Sequence, residues 1–172
     1  MAEDLDDQSD DDKRSRVEQY LNSGYGACYL KDERIGRLVE EALFHFDGKR
    51  YRLIAWVVMP NHVHVLVELI DGFPLGAVVH SWKSYTANKA NKLLGRRGRF
   101  WFPDYFDRYI RNEGHLANAI EYIHNNPFKA GLVERPELWT YSSARCFIET
   151  CKDAGGPGEK DGESGRDAGG PL

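Results

Sequence analysis

The hydrophobic positions of the chain follow two spacings, one typical of helices and one typical of strands. After Asp32, which can cap a helix, apolar residues recur every three to four positions and predict a helix to about Phe46. Two apolar runs rich in β-branched residues then predict strands at Tyr51–Val58 and His62–Ile70. The short break between these runs favours an antiparallel pair of strands.

Caps and turn residues predict the remaining elements. A helix is expected at about Leu75–Leu94, and Asn112 is expected to cap another helix that runs through Asn126, where Pro127 stops it. Shorter elements are expected as a helix at Arg16–Leu21 and as strands at Tyr25–Leu30 and Tyr105–Ile110. This order predicts an α+β fold of ferredoxin-like type, in which helices cover a face of an antiparallel sheet of four to five strands.

Charge divides the chain into a body and two tails. The formal net charge is −4, but residues 1–12 hold seven acidic residues and no basic ones, and residues 153–172 hold five acidic and two basic residues. The body from 13 to 152 therefore carries about +6, from 15 acidic and 21 basic residues. We predict a disordered acidic tail at 1–12, a folded domain at 13–152 and a flexible glycine-rich tail at 153–172. The basic body suits a polyanionic partner.

Composition narrows the class of protein further. No apolar run is long enough to cross a membrane, and the acidic N-terminus lacks the basic and apolar regions of a signal peptide. The cysteines, Cys28, Cys146 and Cys151, lack the CxxC spacing of a zinc site and fit unpaired thiols in a reducing compartment. We therefore expect a cytoplasmic protein without membrane contact.

Two histidines two residues apart are the first candidate for chemistry. His62 and His64 share one face of the predicted strand, because alternate side chains of a strand point the same way. The residues between and after them are expected to point into a core on the other face, namely Val63, Val65, Val67 and Leu69. A pair of imidazoles on a rigid strand face is half of a metal site, although such a pair can also be structural.

The last predicted helix supplies a second polar set. Tyr122 and Asn126 are four residues apart and His115 lies seven before Tyr122, which places all three along one side of the helix. The buried stripe is expected to consist of Leu116, Ile120 and Ile123, and His124 falls away from the polar side. A tyrosine oxygen can attack a phosphodiester, and two imidazoles with an amide oxygen can hold a divalent ion. A plain polar helix edge is the alternative.

The order of these motifs resembles a known family. His62-Val63-His64 is similar to the HUH motif, histidine–hydrophobic–histidine, of the single-tyrosine HUH transposases. Three longer segments resemble the REP-associated branch of that family: Trp56–Leu66, Phe106–Arg111 and Glu121–Val133. These segments come in the family's order, and the resemblance as a whole extends over most of residues 18–145.

The resemblance implies an HUH endonuclease fold and a defined activity. It implies Tyr122 as the catalytic nucleophile, His62, His64 and Asn126 as ligands of magnesium or manganese, and single-stranded or hairpin DNA as the substrate. The enzyme would nick DNA, form a 5′-phosphotyrosine, leave a 3′-hydroxyl and transfer the strand without a nucleotide cofactor. Insertion-sequence relatives carry glutamine where this chain has Asn126, and members of the family are monomers or homodimers.

A run of arginines and aromatic residues is a candidate DNA surface. Arg96, Arg97 and Arg99 could neutralise phosphates while the aromatic residues that follow, Phe100, Trp101 and Phe102, stack on unpaired bases. The alternative is that these aromatic residues belong to the core. Arg108 and Arg111 are further predicted DNA contacts.

Two other functions fit the same motifs. One is a hairpin DNA-binding protein without catalytic activity. The other is a metal-dependent phosphodiesterase that uses water as the nucleophile, with Tyr122 in a structural role.

Overall fold

The structure is a computed structural model that describes residues 26–146. Its regular elements are α1 (Glu33–Phe44), β1 (Tyr51–Val58), β2 (Val63–Leu69), α2 (Leu75–Leu93) and α3 (Glu113–Lys129), with short 3-10 turns at Tyr29–Lys31 and Pro136–Leu138. The predictions for Arg16–Leu21 and for both tails lie outside the described residues. Within residues 26–146, no helix is both long and apolar enough to cross a membrane.

The predicted hairpin is confirmed. β1 and β2 pair antiparallel, with Trp56 opposite Val65, Val57 opposite His64 and Val58 opposite Val63. The turn between them is closed by the backbone N–H of Met59, which donates to the carbonyl of His62 over 2.9 Å. The other edge of β1 is covered by the chain near residue 142, because Val58 N–H donates to Tyr141 O over 2.9 Å.

Helices lie on both faces of this sheet and not on one face. Neighbouring residues of a strand point to opposite faces, and Val57 and Val58 accordingly enter two different clusters. Val58 packs with residues of α1 and α2, among them Ile35, Val39 and Ala90. Val57 packs with Ala55, Met59, Leu66 and, from α3, Ile123.

The burial of the two faces of β2 also differs from the prediction. Leu66, on the face assigned to the histidines, is 9% exposed, whereas Leu69, expected in the core, is 38% exposed. Val63 packs against the α1–α2 cluster, and Val65 and Val67 are partly buried. The reason is the position of α3, which covers the histidine face and converts it from a surface into an interior wall.

Two predicted strands are wrong. The described part of Tyr25–Leu30 begins with Gly26 at a φ of 99°, a conformation outside the strand region, and continues into a 3-10 turn. Tyr105–Ile110 forms no strand, although its side chains have strand propensity. Propensity becomes a strand only where a partner edge supplies hydrogen bonds, and the described part of the chain contains two strands in place of four to five.

The three helices predicted within residues 26–146 are confirmed with one change. Asp32 caps α1 by accepting from the backbone N–H of Arg34 over 3.0 Å, and Asn112 caps α3 by accepting from His115 N–H over 2.8 Å. Pro127 does not stop α3, which continues to Lys129. Proline lacks the N–H for one helical hydrogen bond and its ring crowds the carbonyl four residues earlier, but its φ is helical, so packing can carry the helix past it. Pro127 is buried.

Candidate functional site

The turn between β1 and β2 brings the two histidines together. His62 is the last residue of the turn and His64 lies in β2, opposite Val57. Their ring centroids are 4.8 Å apart and the rings are nearly perpendicular, at 87°. The two imidazoles are therefore neighbours, as their spacing predicts.

Burial keeps both imidazoles neutral. Loss of solvent lowers the pKa of His62 from 6.5 to about 3, with a further contribution from the nearby His64, and burial lowers the pKa of His64 to about 4. A neutral imidazole keeps a lone pair on one ring nitrogen, which is the form that binds metal ions. At neutral pH both imidazoles are therefore uncharged.

In each histidine ring, the Nε2 nitrogen makes no hydrogen bond within the described residues. His62 Nδ1 lies 2.7 Å from Asn61 Oδ1. An amide oxygen can only accept, so His62 donates from Nδ1 and its Nε2 keeps the lone pair. His64 Nε2 is buried and has no hydrogen-bond partner among residues 26–146. A buried polar atom of this kind is costly unless a ligand satisfies it.

Tyr122 packs directly against His64, one member of this pair. Its ring meets that of His64 edge to face, with centroids 5.4 Å apart and planes at 85°. The next residue, Ile123, is 6% exposed and anchors α3 to the sheet. The hydroxyl oxygen of Tyr122 is buried. The helix and the hairpin, which are far apart in sequence, therefore place a tyrosine beside the two histidines.

Asn126 lies one turn further along α3. It is 1% exposed, and its Nδ2 donates to the backbone carbonyl of Tyr122 over 3.2 Å. A carbonyl can only accept, so the amide nitrogen is held on the helix and the amide oxygen is the end that remains for another partner. Among the hydrogen bonds of the described residues, none joins Asn126 to His62 or His64.

The two histidines of α3 lie apart from the His62–His64 pair. His115 Nδ1 accepts from the backbone N–H of Arg111 over 3.3 Å at the start of the helix. His124 Nε2 lies 2.8 Å from Ser143 Oγ, and burial lowers the pKa of His124. His124 thus packs away from the polar side of the helix, as predicted.

The predicted arginine surface is divided. The guanidinium of Arg96 stacks over the ring of Tyr29, 4.5 Å from its centroid, and its Nη2 donates to Arg99 O over 2.9 Å. The remaining predicted arginines are exposed, namely Arg97, Arg99, Arg108 and Arg111. Arg96 therefore supports the local structure, while the others face solvent.

The aromatic residues of the same run divide in the same way. Phe100 and Trp101 pack against the α1–α2 cluster, and Trp101 Nε1 donates to Thr86 Oγ1 over 2.8 Å. Phe102 is 73% exposed. Each of the two alternatives left open by the sequence thus holds for part of the run.

Two lysines near these features were not predicted. Lys129 Nζ lies 5.6 Å from the centroid of the Tyr122 ring. Lys83 donates to the carbonyls of Pro103 and Asp104, at 3.0 Å each, and so ties the exposed segment after Trp101 to α2. Lys129 follows Tyr122 by seven residues, a spacing that would place both on one side of a continuous helix. Because the helix was expected to end at Asn126, this relation was not predicted.

The side chains that most often bind metal ions do not gather in groups of three in the described part of the chain. Across residues 26–146, no three histidine, cysteine, aspartate or glutamate side chains form a cluster suited to a metal. A metal at the His62–His64 pair would therefore need a ligand of another type, such as the amide oxygen of Asn126.

A known protein family matches the part of the chain that contains this site. The family described as "Transposase IS200 like" matches residues 27–126, which include both histidines, Tyr122 and Asn126. The chain belongs to this transposase family. The resemblance predicted from the motifs is confirmed.

Relatives within the family are distant. A REP-associated tyrosine transposase of Escherichia coli K12 is 27% identical over 93 residues, which are 54% of this chain and 54% of the relative. A Haemophilus influenzae protein, whose name assigns it provisionally to the same group, is 27% identical over 103 residues, 54% of this chain and 58% of its own length. The chain thus spans little more than half the length of these curated relatives.

A solved structure shares the fold of this chain. It is a REP-associated tyrosine transposase bound to a REP hairpin, with a TM-score of 0.60, 22% sequence identity and 86% of each chain covered. The mixed α/β architecture with an antiparallel sheet is therefore that of a transposase.

Proposed function

We propose that this transposase nicks and rejoins single-stranded DNA beside a hairpin through a covalent bond between Tyr122 and a 5′-phosphate. The observation that carries the proposal is the packing of the Tyr122 ring against His64, 5.4 Å between centroids, with His62 next to it. A nucleophile and two neutral imidazoles come together from separate elements. The relative bound to a REP hairpin supports a hairpin as the feature recognised.

The reaction needs little beyond positioning and charge. The phenol oxygen of Tyr122 forms a bond to phosphorus and loses its proton, while the bond from phosphorus to the 3′-oxygen breaks and that oxygen takes up a proton. The phosphotyrosine keeps the energy of the broken ester. A free 3′-hydroxyl can therefore attack it in the reverse sense and rejoin a strand without a nucleotide cofactor.

The residues present fit a divalent ion at the histidine pair. His64 Nε2 is buried without a partner among the described residues, and His62 is fixed in the tautomer that leaves Nε2 available. His62, His64 and the amide oxygen of Asn126 would hold magnesium or manganese. When bound, the ion would neutralise the attacked phosphate and orient it. Asn61 supports His62 as an outer hydrogen-bond partner, an arrangement common at metal sites.

Exposed cations offer a path for the DNA strand. Arg97 and Arg99 face solvent beside Phe102, and Arg108 and Arg111 continue the exposed segment that leads into α3. Arginines bind phosphates without regard to sequence, and an exposed aromatic ring can stack on an unpaired base. The segment ends at the cap of the helix that carries Tyr122, so a bound strand would be led toward the site.

Incubation with hairpin-containing single-stranded DNA and manganese tests the proposal. DNA labelled on the 3′ side of the cut should migrate with the protein on a denaturing gel, and the linked peptide should contain Tyr122. Tyr122→Phe removes one oxygen, so the adduct and the cut should disappear together while DNA still binds. Cutting without any adduct would indicate water as the nucleophile. Binding without cutting would indicate an inactive hairpin-binding protein, and a linked peptide lacking Tyr122 would overturn the assignment.

A further inference from the structure

The final turn of α3 brings a positive charge to Tyr122. Lys129 follows Tyr122 by seven residues, two helical turns, and therefore lies on the same side of the helix. Its Nζ is 5.6 Å from the centroid of the Tyr122 ring. Lys129 is exposed, whereas the hydroxyl oxygen of Tyr122 is buried. The ammonium thus lies over the ring of Tyr122 on a side chain that reaches solvent.

The position of Lys129 is held by regular structure. Ala130 N–H donates to Asn126 O over 3.0 Å, and Gly131 N–H donates to Phe128 O over 2.9 Å. Gly131 has a φ of 68°, the left-handed conformation that ends helices. Because the helix passes through Pro127, Lys129 extends from its last turn and not from a loose connection.

We propose that Lys129 is a positioning residue for Tyr122 that also supplies positive charge to the attack on the phosphate. The inference rests on the proposed function and deepens it. A cation over an aromatic face is attracted by the ring and restrains its orientation. Negative charge increases on the phosphate as the phenol oxygen attacks, and a fixed positive charge stabilises that transition state more than the bound substrate.

The chain provides a matched control for this contact. Lys89 Nζ lies 6.0 Å from the centroid of the Tyr85 ring on α2, and Tyr85 is 50% exposed. Lys89 and Lys129 are thus both exposed lysines over a tyrosine ring, and neutralising either one changes the net charge equally. Only Lys129 accompanies the tyrosine beside the histidine pair.

Single-turnover adduct formation at saturating DNA separates chemistry from binding. We expect Lys129→Gln to slow formation of the Tyr122 adduct about tenfold, Lys129→Arg to remain within about threefold of the natural protein, and Lys89→Gln to have no effect. A substrate with a neutral methylphosphonate at the attacked position removes one of the negative charges that Lys129 would face in the transition state. With that substrate, the difference between Lys129→Gln and the natural protein should shrink toward none. Urea unfolding of each variant reports whether the helix end is weakened.

Each other outcome has a definite meaning. An unchanged rate at saturating DNA with weaker binding would make Lys129 an ordinary phosphate contact and overturn the inference. An unchanged rate with reduced stability would assign it to the helix end, where lysine interacts favourably with the carbonyl groups, and would also overturn it. Equal slowing by Lys89→Gln would show that net charge alone causes the effect, and it would overturn the inference. If the natural protein forms no Tyr122 adduct, the proposed function fails and the inference fails with it.

Discussion

Two partly buried, neutral histidines make the stability of this protein depend on pH. The pKa of His62 is lowered to about 3 and that of His64 to about 4, whereas an unfolded histidine titrates near 6.5. Between those values the unfolded chain binds more protons than the folded one. The contribution of these two histidines to the free energy of unfolding is therefore fully present above about pH 6.5. It is lost as pH falls toward their pKa values in the folded protein.

The size of the loss follows from these pKa values. At pH 5, each of the two histidines costs about 2 kcal/mol relative to neutral pH, so the pair costs about 4 kcal/mol. Burial also lowers the pKa of His124, which adds a loss of the same sign. With a urea dependence of roughly 2 kcal/mol per molar, the unfolding midpoint should fall by roughly 2 M between pH 7 and pH 5.

Urea unfolding at pH 7, 6 and 5 with a chelator present measures this loss. The double change His62→Gln and His64→Gln should remove most of the pH dependence. His80→Gln is the matched control, because His80 is exposed on α2 and its removal should leave the dependence intact. An equal midpoint at pH 7 and pH 5 for the natural protein would refute the reasoning, since it would mean that the imidazoles are not buried in neutral form.

Three further predictions concern the metal, the charge and the DNA surface. His64→Ala should abolish manganese-dependent DNA cleavage and cost about 1–2 kcal/mol of stability, because His64 packs against Tyr122; a normal cleavage rate would exclude its role as a ligand. DNA affinity should fall steeply as the salt concentration rises. Deleting residues 1–12 should not weaken binding, since their acidic groups repel DNA. Filter binding across salt concentrations measures both effects, and weaker binding after the deletion would contradict the second expectation. Phe102→Ala should weaken binding of single-stranded DNA about tenfold without loss of stability, whereas Trp101→Ala should mainly destabilise the fold; paired binding and unfolding curves check this.

Local sequence determined the hairpin, the helices and the family. The bounds of β1 were predicted as Tyr51–Val58 and are found there, because a mainly apolar run of this length, rich in residues that favour strands and bounded by turn residues, is typical of a strand. Asp32 and Asn112 cap the helices that they were expected to cap, since a cap is an interaction between residues close in the chain. The spacing of His62 and His64 likewise indicated neighbouring imidazoles before any tertiary contact was known.

Tertiary packing decided which face of the sheet is interior. The period of a strand separates its two faces but does not say what covers each one, so the histidine face was expected at the surface. In the structure α3 covers that face, and this contact buries Leu66 and lowers the pKa of both histidines. The same packing carries α3 past Pro127, where local rules would have ended it.

The contacts around Tyr122 also depend on the fold. Sequence places Tyr122 and Asn126 on one side of a helix, but a helical side has no partner until another element reaches it. The contact with His64 joins residues 58 positions apart, and Lys129 lies over the ring of Tyr122 because the helix continues to its last turn. For the same reason Tyr105–Ile110 forms no strand despite its strand propensity, since no neighbouring strand among residues 26–146 pairs with it. Periodicity and caps act over a few residues, whereas burial and side-chain contacts across the fold arise only when the elements pack.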